Sequence, residues 1–298
     1  MFSNLDEVVL DALSLFERGK IPILPFEKWQ NPLVLGSGNA IVVGRLLFED
    51  QDAYFADEST YKQIVSRYNN RISQAIIISA SGGKDAVRTA RALGQWGIGA
   101  WLLTNTADAP ASEYIDPTHV FVFPKNREPY TYNVSTYMGM LLSKTHEDSA
   151  ALKKFIKETV TSQIPDTFGQ YDAFYFIIPP QFILLKELFL TKFDELFGSM
   201  VSARVFTLEQ SKHARTLVPS DTECFISFGE ENTLFGNEKN RFHISLPENA
   251  EYAALMAIGY YVFGRFRKQD PPYFKDNIVA YAKIASELFG EHITPIVE

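Results

Sequence analysis

"IIISASGGKDAVRTARALGQWGIGAWLLTN", residues Ile76 to Asn105, is the stretch that decides the fold. It opens as an apolar run and closes as one. Between them lie a small, hydroxyl-rich turn, Ser79-Ala80-Ser81-Gly82-Gly83-Lys84, and then an amphipathic stretch. The pattern predicts a strand at Ala75–Ile78, a helix at Asp85–Trp96 and a second strand at Gly99–Leu103.

The alternation continues outward. Val8–Phe16 has helical spacing. Leu33–Leu35 is a short apolar strand that runs into Gly36-Ser37-Gly38-Asn39 and a helix over 40–49. His119–Phe123 reads as a strand, and helices are expected near 132–143 and 148–162. The order then recurs: strand 172–178 ("DAFYFII"), helix 181–197, strands 203–207, 223–228 and 242–246, and helices 250–266 and 276–289. Apolar runs alternating with helices argue for parallel sheets covered on both faces. "QIPDTFGQ" at 163–170 marks a break, so we read two α/β subdomains of like topology, 1–165 and 166–298.

Composition narrows the function classes. The chain has 298 residues, 46% of them hydrophobic, and a formal net charge of −8, which argues against a nucleic-acid partner. Its single cysteine, Cys224, sits in an apolar strand, reads as a small core residue and fits a reducing, cytoplasmic setting. The acidic N-terminus does not read as a signal peptide, and "AALMAIGYYVFGRF" is too short for a membrane span and reads as a buried helix. No His or Cys spacing suggests a metal, and no cofactor is expected.

The turn after Ile78 lies where open parallel sheets bind ligands, at the carboxyl end of a strand and the start of a helix. Glycines let the backbone approach a ligand, helix N-terminal amides favour phosphate, Ser79 and Ser81 add hydroxyls, and Lys84 adds a charge. An ordinary strand-to-helix loop with serine caps has the same composition. Two familiar phosphate loops are excluded. A Walker A loop needs glycine where Ile78 stands, and a dinucleotide fingerprint from Gly36 needs glycine where Ile41 stands.

These residues resemble the sugar isomerase (SIS) domain family. Its loop reads S-x-S-G-x-T; Ser79, Ser81 and Gly82 match, and Lys84 replaces the threonine. "LLTN" (102–105) is similar to the family's strand end, and "LGSGNAIVVGRLLFED" to its first strand and helix, with Asn39 in place of serine. The resemblance covers about 30–145. Two tandem SIS subdomains, each a parallel five-stranded sheet flanked by helices in the flavodoxin-like manner, would account for the whole chain. It implies phosphate binding by Ser79, Ser81, Gly82 and Lys84, and sugar contacts from Gly36, Ser37, Gly38, Asn39 and Glu128.

The second half resembles the family's catalytic isomerases at "Lys192-Phe193-Asp194-Glu195", where the family has K-L-K-E, and more loosely at "Lys212-His213-Ala214-Arg215". The resemblance implies that Glu195 moves a proton between substrate carbons and that His213 helps open the sugar ring. Aldose–ketose interconversion needs such a base, because a proton leaves C2, an enediol forms, and the proton returns at C1. Glu195 also reads as a solvated helix residue, and His213 as a surface histidine. The loop Ile178-Pro179-Pro180-Gln181 stands where the family has glycines, and Ser227-Phe228-Gly229-Glu230 does not read as a phosphate loop. Any phosphate site is therefore expected in the first half.

Two functions follow: a phosphosugar isomerase acting on a hexose 6-phosphate or on an amino-sugar or glycated-amine phosphate, or a non-catalytic sugar-phosphate sensor. Too few residues precede the first strand for a helix-turn-helix domain, so a sensor would act through protein partners. A homodimer is expected, from the resemblance and from the apolar helices "YMGMLL" and "ALMAIGYYVF". His119 reads as a structural histidine.

Overall fold

The computed structural model of the chain describes residues 2–165, 168, 170–214, 220–266, 273–290 and 292–297. The elements in order are α1 (Leu5–Arg18), β1 (Leu33–Leu35), α2 (Asn39–Leu47), β2 (Tyr54–Ala56), α3 (Tyr61–Tyr68), β3 (Ala75–Ile78), α4 (Lys84–Gln95), β4 (Ala100–Thr104) and β5 (Val120–Val122). They continue with β6 (Glu128–Pro129), α5 (Val134–Thr145), α6 (Ser149–Phe155), α7 (Thr161–Gln163), β7 (Ala173–Ile177), α8 (Lys186–Phe197), β8 (Ser202–Phe206) and α9 (Leu208–Ala214). The last are β9 (Glu223–Phe228), β10 (Arg241–Ile244), α10 (Tyr252–Arg265), α11 (Tyr273–Phe289) and β11 (Ile296–Val297).

Two compact units divide these elements. One comprises the chain up to Glu17, Asn126–Ser135 and everything from Glu147; the other comprises Arg18–Lys125 and Thr136–His146. The sequence reading divides the chain by the order of its elements, at 165/166. The packing division instead returns the start of the chain and a short central segment to the later unit.

The second of these units holds a five-stranded parallel sheet in the order β2-β1-β3-β4-β5. Leu33 and Leu35 of β1 and Ile77 of β3 join Tyr61 and Val65 of α3 and Ala86, Ala90 and Leu93 of α4 in one buried cluster. α2 packs on β1 and β3. Both faces of these strands are covered, which is why β1 and β3 are apolar without alternation.

The other unit holds a parallel sheet in the order β10-β9-β7-β8, four strands among the described residues where five were expected. Numbered within its own half, this is the order 2-1-3-4, the same as the first four strands of the larger sheet. The repeat seen in the order of elements is therefore a repeat of topology, short of one edge strand. β7 carries aromatic residues on both faces. Phe174 stacks on Phe266 at 4.3 Å and Phe176 lies 4.8 Å from Phe263, while Tyr175 stacks on Phe225 at 5.1 Å. β11 pairs antiparallel with β6, so the chain end lies along 128–129.

Several expectations needed correction. β2, α3, β6, α9 and β11 were not foreseen, because each is short. The helix expected over 148–162 contains a π turn at Ile156–Val160, where the Thr161 hydroxyl also donates to the Ile156 carbonyl at 2.9 Å. The two apolar helical segments assigned to a dimer surface are spent in the interior: Tyr252 through Gly264 are all buried, as are Met138 and Met140–Leu142. α10 is thus the buried helix that its composition suggested. Among the described residues, no helix is long and apolar enough to cross a membrane.

Candidate functional site

In the five-stranded sheet, β1 and β3 are neighbours although β2 and α3 lie between them in sequence. From β1 the chain crosses outward to β2; from β3 it crosses the other way to β4. The loops leaving the two strands therefore diverge and open a crevice at their carboxyl ends, the place where sheets of this order hold ligands. The loops concerned are Gly36–Asn39 and Ser79–Lys84, so topology brings the two sequence-selected clusters side by side.

The 79–84 turn is fixed by hydrogen bonds to its backbone and to both serine oxygens. The Ala80 carbonyl accepts the Asn105 amide at 2.9 Å and the hydroxyls of Thr104 at 3.0 Å and Thr106 at 3.1 Å. This ties the turn to the end of β4. Ser79 Oγ accepts from the Gly82 amide and Ser81 Oγ from the Gly83 amide, each at 3.2 Å, which leaves both hydroxyl protons to be donated. Gly82 has φ +57°, and a Cβ there would lie 2.5 Å from the Ala109 Cβ, so only glycine fits. Gly83 is the N-cap of α4 and offers no side chain to its first amides. Those amides, two hydroxyls and the exposed Lys84 form a donor-rich rim suited to an anion.

Gly36 packs so tightly on α2 that a Cβ would lie 2.7 Å from the Ile41 nitrogen. The close approach places Ser37, Gly38 and Asn39 at the start of α2, with Gly38 as its N-cap. Ser37 donates its hydroxyl to Glu58 Oε2 at 2.6 Å. Glu58 follows β2 on a loop held by Asp57, whose carboxylate accepts from the amide and hydroxyl of both Ser59 and Thr60. These bonds, the Ser59 and Thr60 hydroxyls first, hold the Asp57 carboxyl down at about 2. The sequence reading missed Glu58 because it did not see β2.

The second cluster lies in the four-stranded unit. Glu195, in the last turn of α8, is about three-quarters buried, and its Oε2 is 2.7 Å from Lys192 Nζ. Lys192 is itself 1% exposed. Its ammonium also donates to the Thr131 carbonyl and lies 5.3 Å from the Tyr260 ring. Burial, and then the Glu195 charge, push the Tyr130 hydroxyl above its ordinary value. The Tyr130 amide donates to the Pro295 carbonyl at 3.1 Å, so the chain end lies beside this cluster. A carboxylate held by a buried cation next to a phenol is a fixed, partly accessible acid–base group.

Other candidates are placed differently. Glu128 is 1% exposed, and its carboxylate accepts from the Val134 amide, the Ser135 amide and the Ser135 hydroxyl at 2.9–3.1 Å. It works as the cap of α5, not as an open contact for sugar hydroxyls. His213 is exposed in the last turn of α9, beside Lys212, whose hydrogen bond and charge hold the Glu209 carboxyl low with a smaller contribution from His213. Arg215 of the same motif lies outside the described residues. His119 stacks on Trp101 at 3.7 Å. Cys224 is buried, which pushes its thiol up. Among the described residues, no three His, Cys, Asp or Glu side chains gather as a metal site.

Comparison with known proteins supports the fold. No family model and no curated protein matches the sequence. Solved structures do match in shape. A glucosamine-6-phosphate deaminase from Thermotoga maritima is 14% identical, aligns over 91% of this chain and 96% of its own, and has a TM-score of 0.59. A tagatose-6-phosphate ketose/aldose isomerase from Escherichia coli is 11% identical over 88% and 86%, with a TM-score of 0.56. The C-terminal domain of a glucosamine-fructose-6-phosphate aminotransferase from Francisella tularensis is 12% identical over 87% and 91%, with a TM-score of 0.53. The fold is therefore shared with these solved proteins over nearly the whole chain.

Proposed function

We propose that this protein binds a phosphorylated sugar and interconverts its aldose and ketose forms. The observation that carries the binding half is the 79–84 turn, with two serine hydroxyls, uncapped helix amides and a lysine at the switch point of a parallel sheet. Two solved proteins that share this fold are named for enzymes of hexose 6-phosphates, glucosamine 6-phosphate and tagatose 6-phosphate. The proton-transfer half rests on Glu195, which Lys192 holds by an ion pair while leaving it partly accessible. Glu195 would take the C2 proton and return it at C1. His213 is retained as the ring-opening group only through the family resemblance.

The test has two parts. A thermal-shift and calorimetric screen compares hexose 6-phosphates with the unphosphorylated sugars. Ser79→Ala/Ser81→Ala should then lose on the order of 1.5–3 kcal/mol per hydroxyl bonded to the phosphate, and unchanged affinity would place the site elsewhere. For the chemistry, exchange of the C2 hydrogen in deuterated water is followed by NMR. Glu195→Gln should slow exchange by about 10²–10⁴-fold. Full exchange by that variant would mean another base.

A sugar-phosphate sensor is the second reading. It is favoured by the loop after β7, Ile178-Pro179-Pro180-Gln181, which lacks the family's glycines, and by the exposure of His213. Binding without C2 exchange would select it.

A further inference from the structure

Removing a proton from the carbon beside a carbonyl puts negative charge on the carbonyl oxygen. A base such as Glu195 therefore needs a hydrogen-bond donor facing that oxygen. Lys192 is not that donor. It is 1% exposed, and its ammonium is spent on Glu195 at 2.7 Å, on the Thr131 carbonyl and on the Tyr260 ring. The residue before Thr131 is placed differently. Tyr130 is half-buried, and the Glu195 charge acts on its hydroxyl. Burial, and then that charge, keep the phenol protonated, so at ordinary pH it is a donor.

The segment that carries Tyr130 is held on both sides. Its amide donates to the Pro295 carbonyl at 3.1 Å, and β6 just before it pairs with β11. Just after it, the Tyr132 amide donates to the Pro129 carbonyl at 2.9 Å and the Tyr132 hydroxyl to the Ser3 carbonyl at 3.2 Å. Asn133, at φ +48°, takes the left-handed conformation that asparagine tolerates and turns the chain into α5. A donor on so fixed a segment needs little reorganisation as charge develops. One polar group here is left over. Thr131 Oγ1 is shielded from solvent and has no hydrogen-bond partner among the described residues. Buried hydroxyls are satisfied as a rule, so this one points to a group from outside the chain that completes the cluster.

We infer that Tyr130 is the electrophilic partner of Glu195, its hydroxyl donating a hydrogen bond to the substrate's carbonyl oxygen while Glu195 removes the C2 proton. The C2–H bond breaks and its electron pair forms the C1–C2 double bond. The carbonyl π pair moves onto the oxygen that Tyr130 faces, and the proton rests on Glu195. The inference rests on the isomerase reading of Glu195 and adds the residue that stabilises the enediolate.

The experiment uses the full chain with glucose, galactose and glucosamine 6-phosphates, and reads C2 exchange in deuterated water by NMR and affinity by calorimetry. Tyr130→Phe keeps the ring and the amide bond to Pro295 and removes only the hydroxyl. Exchange should fall by about 10²–10³-fold, the usual loss for one donor to a developing oxyanion. Affinity for the sugar phosphate should stay within about twofold, because the contact strengthens only as charge develops. A sugar-phosphate hydroxamate, which carries an anionic oxygen where the enediolate does, should bind the wild type more tightly than the sugar, and Tyr130→Phe should erase that advantage. An unchanged unfolding midpoint would show the variant folded. Full exchange by Tyr130→Phe, with exchange lost in Glu195→Gln, overturns this inference and leaves the isomerase reading intact. Affinity and exchange falling together in Tyr130→Phe also overturn it, since the hydroxyl would then serve ground-state binding or structure. Absence of exchange by the wild type with all three sugars sinks the isomerase reading and this inference with it.

Discussion

At Gly82 a single hydrogen atom decides whether the turn exists. The residue sits at φ +57°, and its position faces Ala109 at a distance no real Cβ tolerates. Its carbonyl also accepts the Ala111 amide at 2.8 Å, so moving it pulls on the segment after β4. Gly82→Ala should cost about 1–2 kcal/mol from the backbone conformation alone, with the Ala109 contact adding to it. Denaturant melts give the stability loss, and sugar-phosphate titration should show affinity falling beyond it, because the serines move with the turn. Unchanged stability would mean that the turn adopts another path.

Among the elements, α3 and its entry loop show how a polar cluster sets a position. Asp57 collects the amides and hydroxyls of Ser59 and Thr60, and its carboxyl titrates near 2, below its ordinary 3.8. A depressed folded-state value means that the ionised form is the one folding prefers. The stabilisation is present in full above about pH 4 and is lost as pH falls through 2. Asp57 is only half-buried and solvent reaches it, so the effect is small and local. The stability difference between the wild type and Asp57→Asn should therefore be constant at neutral pH and shrink between pH 4 and pH 2. A difference that stays flat down to pH 2 would show that the hydrogen bonds do not distinguish carboxylate from amide. The same substitution should loosen Glu58 and its hydrogen bond from Ser37.

For the molecule as a whole, the open question is assembly. The helices first suspected of forming a subunit contact are buried in the protomer. α11 instead keeps Ile278 and Ala282 inside and leaves Val279, Ile284, Leu288 and Phe289 more than half exposed. Large apolar side chains grouped on one helix are costly in water. We expect a homodimer at micromolar concentration by sedimentation, dissociated by Leu288→Ser with Phe289→Ser. A wild-type monomer would remove the dimer and any role for a histidine supplied across it.

The sequence by itself determined the alternation of strands and helices, the parallel sheets, the repeat of order and the position of the serine turn. Each of these rests on local period or on glycine and hydroxyl placement, which neighbouring residues dictate. It also contained signals that went unread. Thr207 and Gln210 form reciprocal bonds at 3.1 and 3.2 Å, the capping pattern that starts α9, and it is visible as T-x-x-Q. β2 was missed because three residues carry too little period to read, and Glu58 was missed with it. Only the tertiary structure decided which side chains meet. It took Glu128 out of the open site by giving it the amides of α5, put Lys192 against Glu195 under the Tyr260 ring, left His213 in solvent, and set Glu58 on Ser37. Strand order joins Ser37 to Glu58 across 21 residues and packing sets the Tyr260 ring over Lys192, while Glu128 and Glu195 meet partners three to seven residues away, and what no local pattern encodes for them is burial.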